Sequence, residues 1–295
     1  MYPEVGLHTI CDAFGKTRQA HYKHLKFEDE KHNQQIIIIK MVETIREKMP
    51  RLGGRKLYHL LKEPLYEHGI DIGRDKLFDI LSNFSLLVRR RKRRKPITTD
   101  SNHPFYKYPN LIKGLIVMQP SQLWVSDITY IPLINKYAYL SLITDAYSRK
   151  IVGYCLWHNL SKEGTLNALR MAIQSAVKAK RNALIHHSDR GLQYCCKDYI
   201  NLLEANTIMI SMTENGDPYE NAMAERVNGI LKSEFAIDKP FKSFDDAKAT
   251  IDLVIETYNN ERPHASCNYL TPNQAHLLSG KIKSKWKKNV AVETI

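Results

Sequence analysis

Three carboxylates draw attention because of the segments that hold them. Asp127 lies in WVSDITYI, a run of β-forming residues whose interior disfavours a charged side chain. Asp189 lies in HHSDRGLQY, just past a short apolar run, and the carboxyl end of a strand is where α/β sheets place their ligands. Glu225 lies in ENAMAERVNGILKSEF, which reads as a helix. Taken singly, each has an ordinary explanation: an Asp on a solvent face or bulge, a turn Asp before Gly191, a surface Glu. Together they form a donor set made only of oxygen. Hard cations such as Mg2+ prefer carboxylate and water oxygens. Two of them roughly 3.5–4 Å apart can activate an attacking oxygen and stabilise a leaving oxygen on phosphorus, with no nucleophilic protein side chain. The sequence supports no rival Ser-His-Asp or Cys-His arrangement and no Gly-rich phosphate loop.

The elements that must position these residues follow from patterning. Leu123–Pro132, Tyr137–Thr144 and Lys150–Trp157 are rich in Val, Ile, Leu, Tyr and Trp, with turn signals at Asn135-Lys136 and Ser148-Arg149. They predict a three-stranded antiparallel meander. A helix is expected over Lys162–Val177, a strand at Ala183–His187, a helix near Cys196–Ala205 and a strand at Thr207–Met212. Helices near Pro218–Phe235 and Phe244–Asn259 complete the series. Strands first, then alternating strand and helix, give an α/β fold with a sheet of mixed direction. Asp145, beside the Ser148-Arg149 turn, reads as a structural Asp.

Residues 1–95 read as helical, with apolar periodicity over Ile36–Met49, Arg55–Tyr66 and Arg74–Leu87 and Gly-containing turns between. Short helices so separated are the helix-turn-helix pattern, a small packing unit without a DNA role being the alternative. The region ends in seven consecutive basic residues, Arg89, Arg90, Arg91, Lys92, Arg93, Arg94 and Lys95. Such a run cannot enter a core and suits an arm lying along phosphates or in a minor groove, a nuclear-localisation signal being the rival reading. Residues 96–118, with Pro96, Pro104 and Pro109, read as a linker; 119–278 hold the α/β core; 279–295 form a basic tail with Lys281, Lys283, Lys285, Lys287 and Lys288.

The net charge of +13 is uneven. Residues 1–118 carry 23 Lys+Arg against 13 Asp+Glu, and 119–295 carry 21 against 18. The excess points to an anionic polymer, nucleic acid first. The five cysteines show no CxxC spacing, and His21 and His24 have no paired cysteines at finger distance, which argues against zinc fingers. The longest aliphatic run, Ile36–Ile39, is far short of the ~20 residues that span a bilayer. Without a secretory pattern, a reducing cytoplasm is expected and a membrane partner is not.

The interval between Asp189 and Glu225 holds 35 residues, and with the Asp of DITY it resembles the Asp-Asp-Glu signature of retroviral integrases and bacterial insertion-sequence transposases. HSDRGLQY, the Asn-Ala-x-x-Glu run at Asn221–Glu225, and YNNERPH followed by YLTPNQ at Tyr258–Gln274 are similar to the OrfB subunit of the IS-three group of those transposases. RLGGRKLYHLL, IGRDKLF and YPNLI upstream match as well, so the resemblance spans nearly the whole chain. It implies an RNase H-like catalytic core, which here follows the small all-helical, helix-turn-helix-like region read from the patterning. It also implies metal-dependent 3′-end cleavage and strand transfer of DNA, with Asp127, Asp189 and Glu225 as the ligands of two Mg2+ ions and Mn2+ able to substitute. Lys232, seven residues beyond Glu225, matches a basic position of the motif, and two helical turns place both on one face. The implied partners are element ends and target DNA, an upstream OrfA-type subunit and further copies of this chain on DNA, in a bacterial cytoplasm at the nucleoid. Two departures are visible: Glu220 precedes Asn221 where an Asp is common, and Arg226-Val227-Asn228 replace a more aromatic run. Neither is expected to touch the ligands. The rivals are a DNA-binding protein without catalysis and a nuclease that cuts without joining.

Overall fold

The backbone follows the alternation of the sequence most closely between Leu123 and Trp157. In the computed structural model, which describes residues 5–88, 104–176, 183–214 and 221–282, the chain divides into two compact units. One comprises residues 1–47 and 53–89, the other 48–52 and 90–295.

The first unit is helical: α1 (Leu7–Ala13), α2 (Arg18–Lys48, whose last residue belongs to the second unit), α3 (Gly54–Glu67) and α4 (Arg74–Asn83). Its buried side chains repeat at helical spacing, Ile38 and Val42 on α2, Leu57, Leu61 and Leu65 on α3, Leu77, Ile80 and Leu81 on α4. Helix α2 starts at Arg18, well before the apolar stretch that signals it. Thr17 Oγ1 accepts from Ala20 N at 3.1 Å, and the exposed first half carries Lys26–Glu30 and Glu28–Lys31 pairs at helical spacing. Helix α4 stops short of the expected Leu87 because Ser85 turns left-handed, at φ 56°. The basic run Arg89–Lys95 lies outside the described residues, as do 96–103 of the expected linker and 283–295 of the tail.

The second unit is built on a five-stranded sheet of order β3-β2-β1-β4-β5, with β1 (Leu123–Pro132), β2 (Tyr137–Asp145), β3 (Ile151–Trp157), β4 (Ile185–Ser188) and β5 (Met209–Met212). Strands β1, β2 and β3 pair antiparallel, whereas β1–β4 and β4–β5 are parallel. This mixed sheet with helices on both faces is the RNase H-like arrangement. One face is covered by α5 (Lys162–Ser175), α6 (Leu192–Cys195) and α7 (Lys197–Glu204), which enclose Trp124, Ile143, Leu169, Tyr199 and Ile210. Helix α5 lies close to β3 because Gly164, Ala168 and Ala172 are small and buried, and a Cβ at Gly153 would run into the Ala168 carbonyl. Helix α8 (Ala222–Glu234) covers the other face, where Leu123, Val125, Ala146, Ile185 and Ala224 pack together.

Ile112, Leu115 and Val117, in the segment expected to be a linker, also pack on that second cluster, and Met212 N donates to Pro109 O at 3.3 Å. Helix α9 (Phe244–Asn260) and the short α10 (Pro272–Ala275) follow. The single helix expected near Cys196–Ala205 begins only at Lys197, since Cys196 is extended and separates α6 from α7. Among the described residues no helix is long and apolar enough to cross a membrane.

Candidate active site

Strand register brings the first two carboxylates together. Strand β4 meets β1 only at Leu123–Val125, so its carboxyl end, followed by Asp189, runs out beside Asp127 in the middle of the sheet. Asp127 shares the face of Val125 and Leu123, two and four residues back, and that face looks at α8. Its Oδ1 accepts from Ile128 N at 2.9 Å and its Oδ2 from Asn228 Nδ2 at 2.7 Å. Burial and then the neighbouring Asp189 carboxylate push the Asp127 carboxyl up from its ordinary value to about 7, and Glu225 adds in the same direction. The Asn228 and Ile128 donors oppose that rise without cancelling it.

Asp189 is held by its own turn. Its Oδ1 accepts from Gly191 N at 3.0 Å, and a Cβ at Gly191 would lie 3.0 Å from the same oxygen. Glycine here leaves a cradle for the carboxylate. Glu225 stands in the first turn of α8, exposed at the surface. Lys232, two turns on, is partly buried. Burial pushes its ammonium down, while Asp127 and then Asp238 hold it up. Among the described residues no group of three or more His, Cys, Asp or Glu side chains lies close enough, as they stand, to hold a metal ion. Asp127 thus feels Asp189 strongly and Glu225 weakly.

Residues not anticipated from the sequence complete the surroundings. Asn221 Nδ2 donates to Ser126 O at 3.0 Å, and Asn221 and Asn228 are both buried, each with an unpartnered Oδ1. The expectation that the departures at 226–228 touch no presumptive ligand is therefore wrong for Asn228. The strand-to-helix crossing puts its amide on Asp127, a contact across 101 residues that no local pattern announces. Glu220 lies outside the described residues. Behind Asp127, on the opposite face of β1, Ser126 Oγ and Tyr199 OH meet His186 Nε2 at 2.7 and 3.0 Å. Burial pushes that imidazole down to about 3, so it is a neutral strut. Asp145 is a structural residue: fully buried, it accepts from Ser148 N, Ser148 Oγ and Ser121 N.

The YNNERPH segment is a brace. Tyr258 OH donates to Arg149 O at 2.9 Å, and Asn259 bonds both N and O of Ile151 at 3.0 Å, as a neighbouring strand would. Arg262, 1% exposed, grips both oxygens of Glu234 at the end of α8, at 2.9 and 3.0 Å.

Residues 118–218 and 206–272 each match a family described as Integrase core domain. An uncharacterized 31 kDa protein of insertion element IS600 from Shigella sonnei is 34% identical over 267 residues, 89% of this chain and 96% of that one. A Mycobacterium tuberculosis protein named for the transposase of insertion sequence element IS986/IS6110 is 32% identical over 227 residues, 75% of this chain and 79% of that one. Among solved structures, a simian T-cell lymphotropic virus intasome in complex with PP2A regulatory subunit B56 gamma is similar over 82% of this chain and 81% of that one. The identity is 18% and the TM-score 0.46.

Proposed function

The chain belongs to the insertion-sequence transposases built on an integrase core domain, and from that premise we propose that Asp127, Asp189 and Glu225 are its catalytic carboxylates and its ligands for divalent metal. It is a DNA transposase, a polynucleotidyl transferase. The observation that carries the site assignment is the charge cost at Asp127. A carboxyl buried on a central strand beside Asp189, with the Glu225 charge further off, is driven towards its neutral form unless a cation joins it.

The donors suit Mg2+ or Mn2+. All are carboxylate oxygens, and each oxygen of Asp127 has one protein donor, leaving a lone pair over. When bound, a pair of such ions supplies activation of the attacking oxygen and stabilisation of the leaving one. The chain's part is placement. Ile128 and Asn228 hold Asp127, Gly191 holds Asp189, and Glu225, free at the surface on a long side chain, closes from the helix side. In the proposed first step water bonds to phosphorus and the P–O3′ bond at the element end breaks. In the second, the freed 3′-hydroxyl bonds to phosphorus of the target strand, whose own P–O3′ bond breaks. Lys232 contacts DNA beside the cut, and the N-terminal helices and the Arg89–Lys95 arm grip the element ends. One chain carries one such set of carboxylates while an element has two ends, so several copies act together on DNA. An upstream OrfA-type subunit and a place on the bacterial nucleoid complete the proposal.

The test uses the full chain, element-end DNA and Mg2+, scoring cleaved and joined products separately. Asp127→Asn, Asp189→Asn and Glu225→Gln should each abolish both products while DNA binding persists. Joining retained by any one of them removes that residue from the set, and cleavage without joining in the unmodified protein makes it a nuclease.

A further inference from the structure

We infer that Asn228 is a positioning residue that aims the Asp127 carboxylate and ties it to the helix carrying Glu225. The inference rests on the proposed three-carboxylate site. Its geometric basis is the 2.7 Å bond from Asn228 Nδ2 to Asp127 Oδ2, which with the 2.9 Å bond from Ile128 N to Oδ1 fixes the carboxylate by both oxygens. The amide can face an ionised carboxylate only with its NH2 end, so its carbonyl is turned away. That Oδ1 is buried with no hydrogen-bond partner, on a residue only 5% exposed.

An unpartnered buried carbonyl destabilises the fold, and an apolar side chain of similar size would avoid that cost. The arrangement is understandable if the other end of the amide is needed where it is. Asn221 repeats the device seven residues earlier on α8. Its Nδ2 is spent on Ser126 O at 3.0 Å, its Oδ1 is likewise orphaned, and although it is the N-cap it makes no capping bond. Two amides thus bracket Glu225 and fasten α8 to the consecutive residues Ser126 and Asp127. The spacing between strand carboxylate and helix carboxylate is set by these bonds before any ion arrives. Groups that orient a metal ligand from behind typically change metal affinity by about 10–100-fold when removed.

The test measures Mn2+ binding to the full chain by electron paramagnetic resonance, without DNA, alongside the thermal midpoint of the metal-free protein. Asn228→Leu keeps the volume, loses the donor and removes the orphaned carbonyl. It should weaken Mn2+ binding about tenfold, with the midpoint unchanged or raised. A merely structural asparagine would move the two readouts together. In an Asp127→Asn background the same change should alter the Mn2+ dissociation constant less than twofold, because the group being aimed is gone. If Asn228→Leu does not fold, Asn228→Ser carries the same comparison. An affinity within twofold of wild type in the folded single variant, or an equal loss in both backgrounds, overturns the inference and leaves the three carboxylates standing. An Asp127→Asn protein that binds Mn2+ as tightly as wild type and still joins DNA overturns the site, and the inference with it.

Discussion

Replacing Asp127 by Asn should stabilise the metal-free protein at alkaline pH, although it destroys the proposed activity. The folded-state carboxyl sits at about 7, against 3.8 for the free group. Because the folded value is raised, the favourable contribution is fully present below pH ~4 and is lost as the pH climbs through ~7. Between these limits the unfolded chain gives up its proton and the folded chain keeps it, so stability falls with pH. At about 1.4 kcal/mol per unit the full interval is worth about 4 kcal/mol, an upper bound. The side chain is partly accessible, and solvent screening reduces the figure to ~1–3 kcal/mol. Asn cannot ionise and still accepts from Asn228. In urea melts with a chelator, followed by the fluorescence of Trp124 and Trp157 in the sheet, Asp127→Asn should match wild type near pH 4 and exceed it by ~1–3 kcal/mol at pH 8. Mg2+ at pH 8 should close the gap by stabilising wild type alone. Parallel stability curves for the two proteins from pH 4 to 8 would mean that no carboxylate crowding exists at Asp127, and the charge argument for the site would fall.

Other outcomes follow from charge and packing. Neutralising the Arg89–Lys95 arm should weaken binding to all DNA sequences and flatten the slope of log affinity against log salt, and an unchanged slope would refute the arm's role. Lys232→Ala should reduce end cleavage and affinity for cognate ends but leave Mn2+ binding unaltered; full activity would make it a bystander. Arg262→Ala removes a fully buried guanidinium together with its two bonds to Glu234 and should cost about 3–5 kcal/mol in a urea melt, part of which returns in Arg262→Met with Glu234→Gln. A loss below about 1 kcal/mol would show that the pair is solvated in solution.

How much was legible in the sequence depends on whether a residue's role is local. Strands β1 to β3 could be read because alternation and β-branched content are properties of the segments themselves, and the expected ends fall within a residue of those observed. The first half of α2 could not, because a charged, exposed helix has no apolar period and is held by its Thr17 cap and short-range ion pairs. Helix α10 carried its signature in YLTPNQ. Thr271 and Gln274 form a capping box with Pro272 at the first helical position, a wholly local signal. The carboxylates showed through spacing and neighbours. Asn228 did not, since an Asn within a helix reads as a solvent-facing residue, and its meaning arises only where α8 crosses β1.

That crossing also explains why so much of the carboxyl-terminal sequence is spent away from the carboxylates. A catalytic Glu on a helix is useful only if the helix cannot slide, and α8 is secured at both ends. Near its start and middle, Asn221 and Asn228 bond to β1. At its end Arg262 clamps Glu234, and Arg51 N donates to the Glu234 carbonyl at 2.9 Å, satisfying one of the helix's terminal acceptors. Arg262 is in turn placed by α9, which Asn259 and Tyr258 lock to the edge of β3 and to Arg149. The backbone of α8 is therefore referenced to the centre and the edge of one sheet, while among the described residues the Glu225 side chain has no hydrogen bond that would have to be broken for it to turn inward. In the proposed site, a rigid frame with one surface carboxylate would hold Asp127 and Asp189 poised in advance and leave Glu225 to close when cation and DNA supply the missing positive charge and the phosphate.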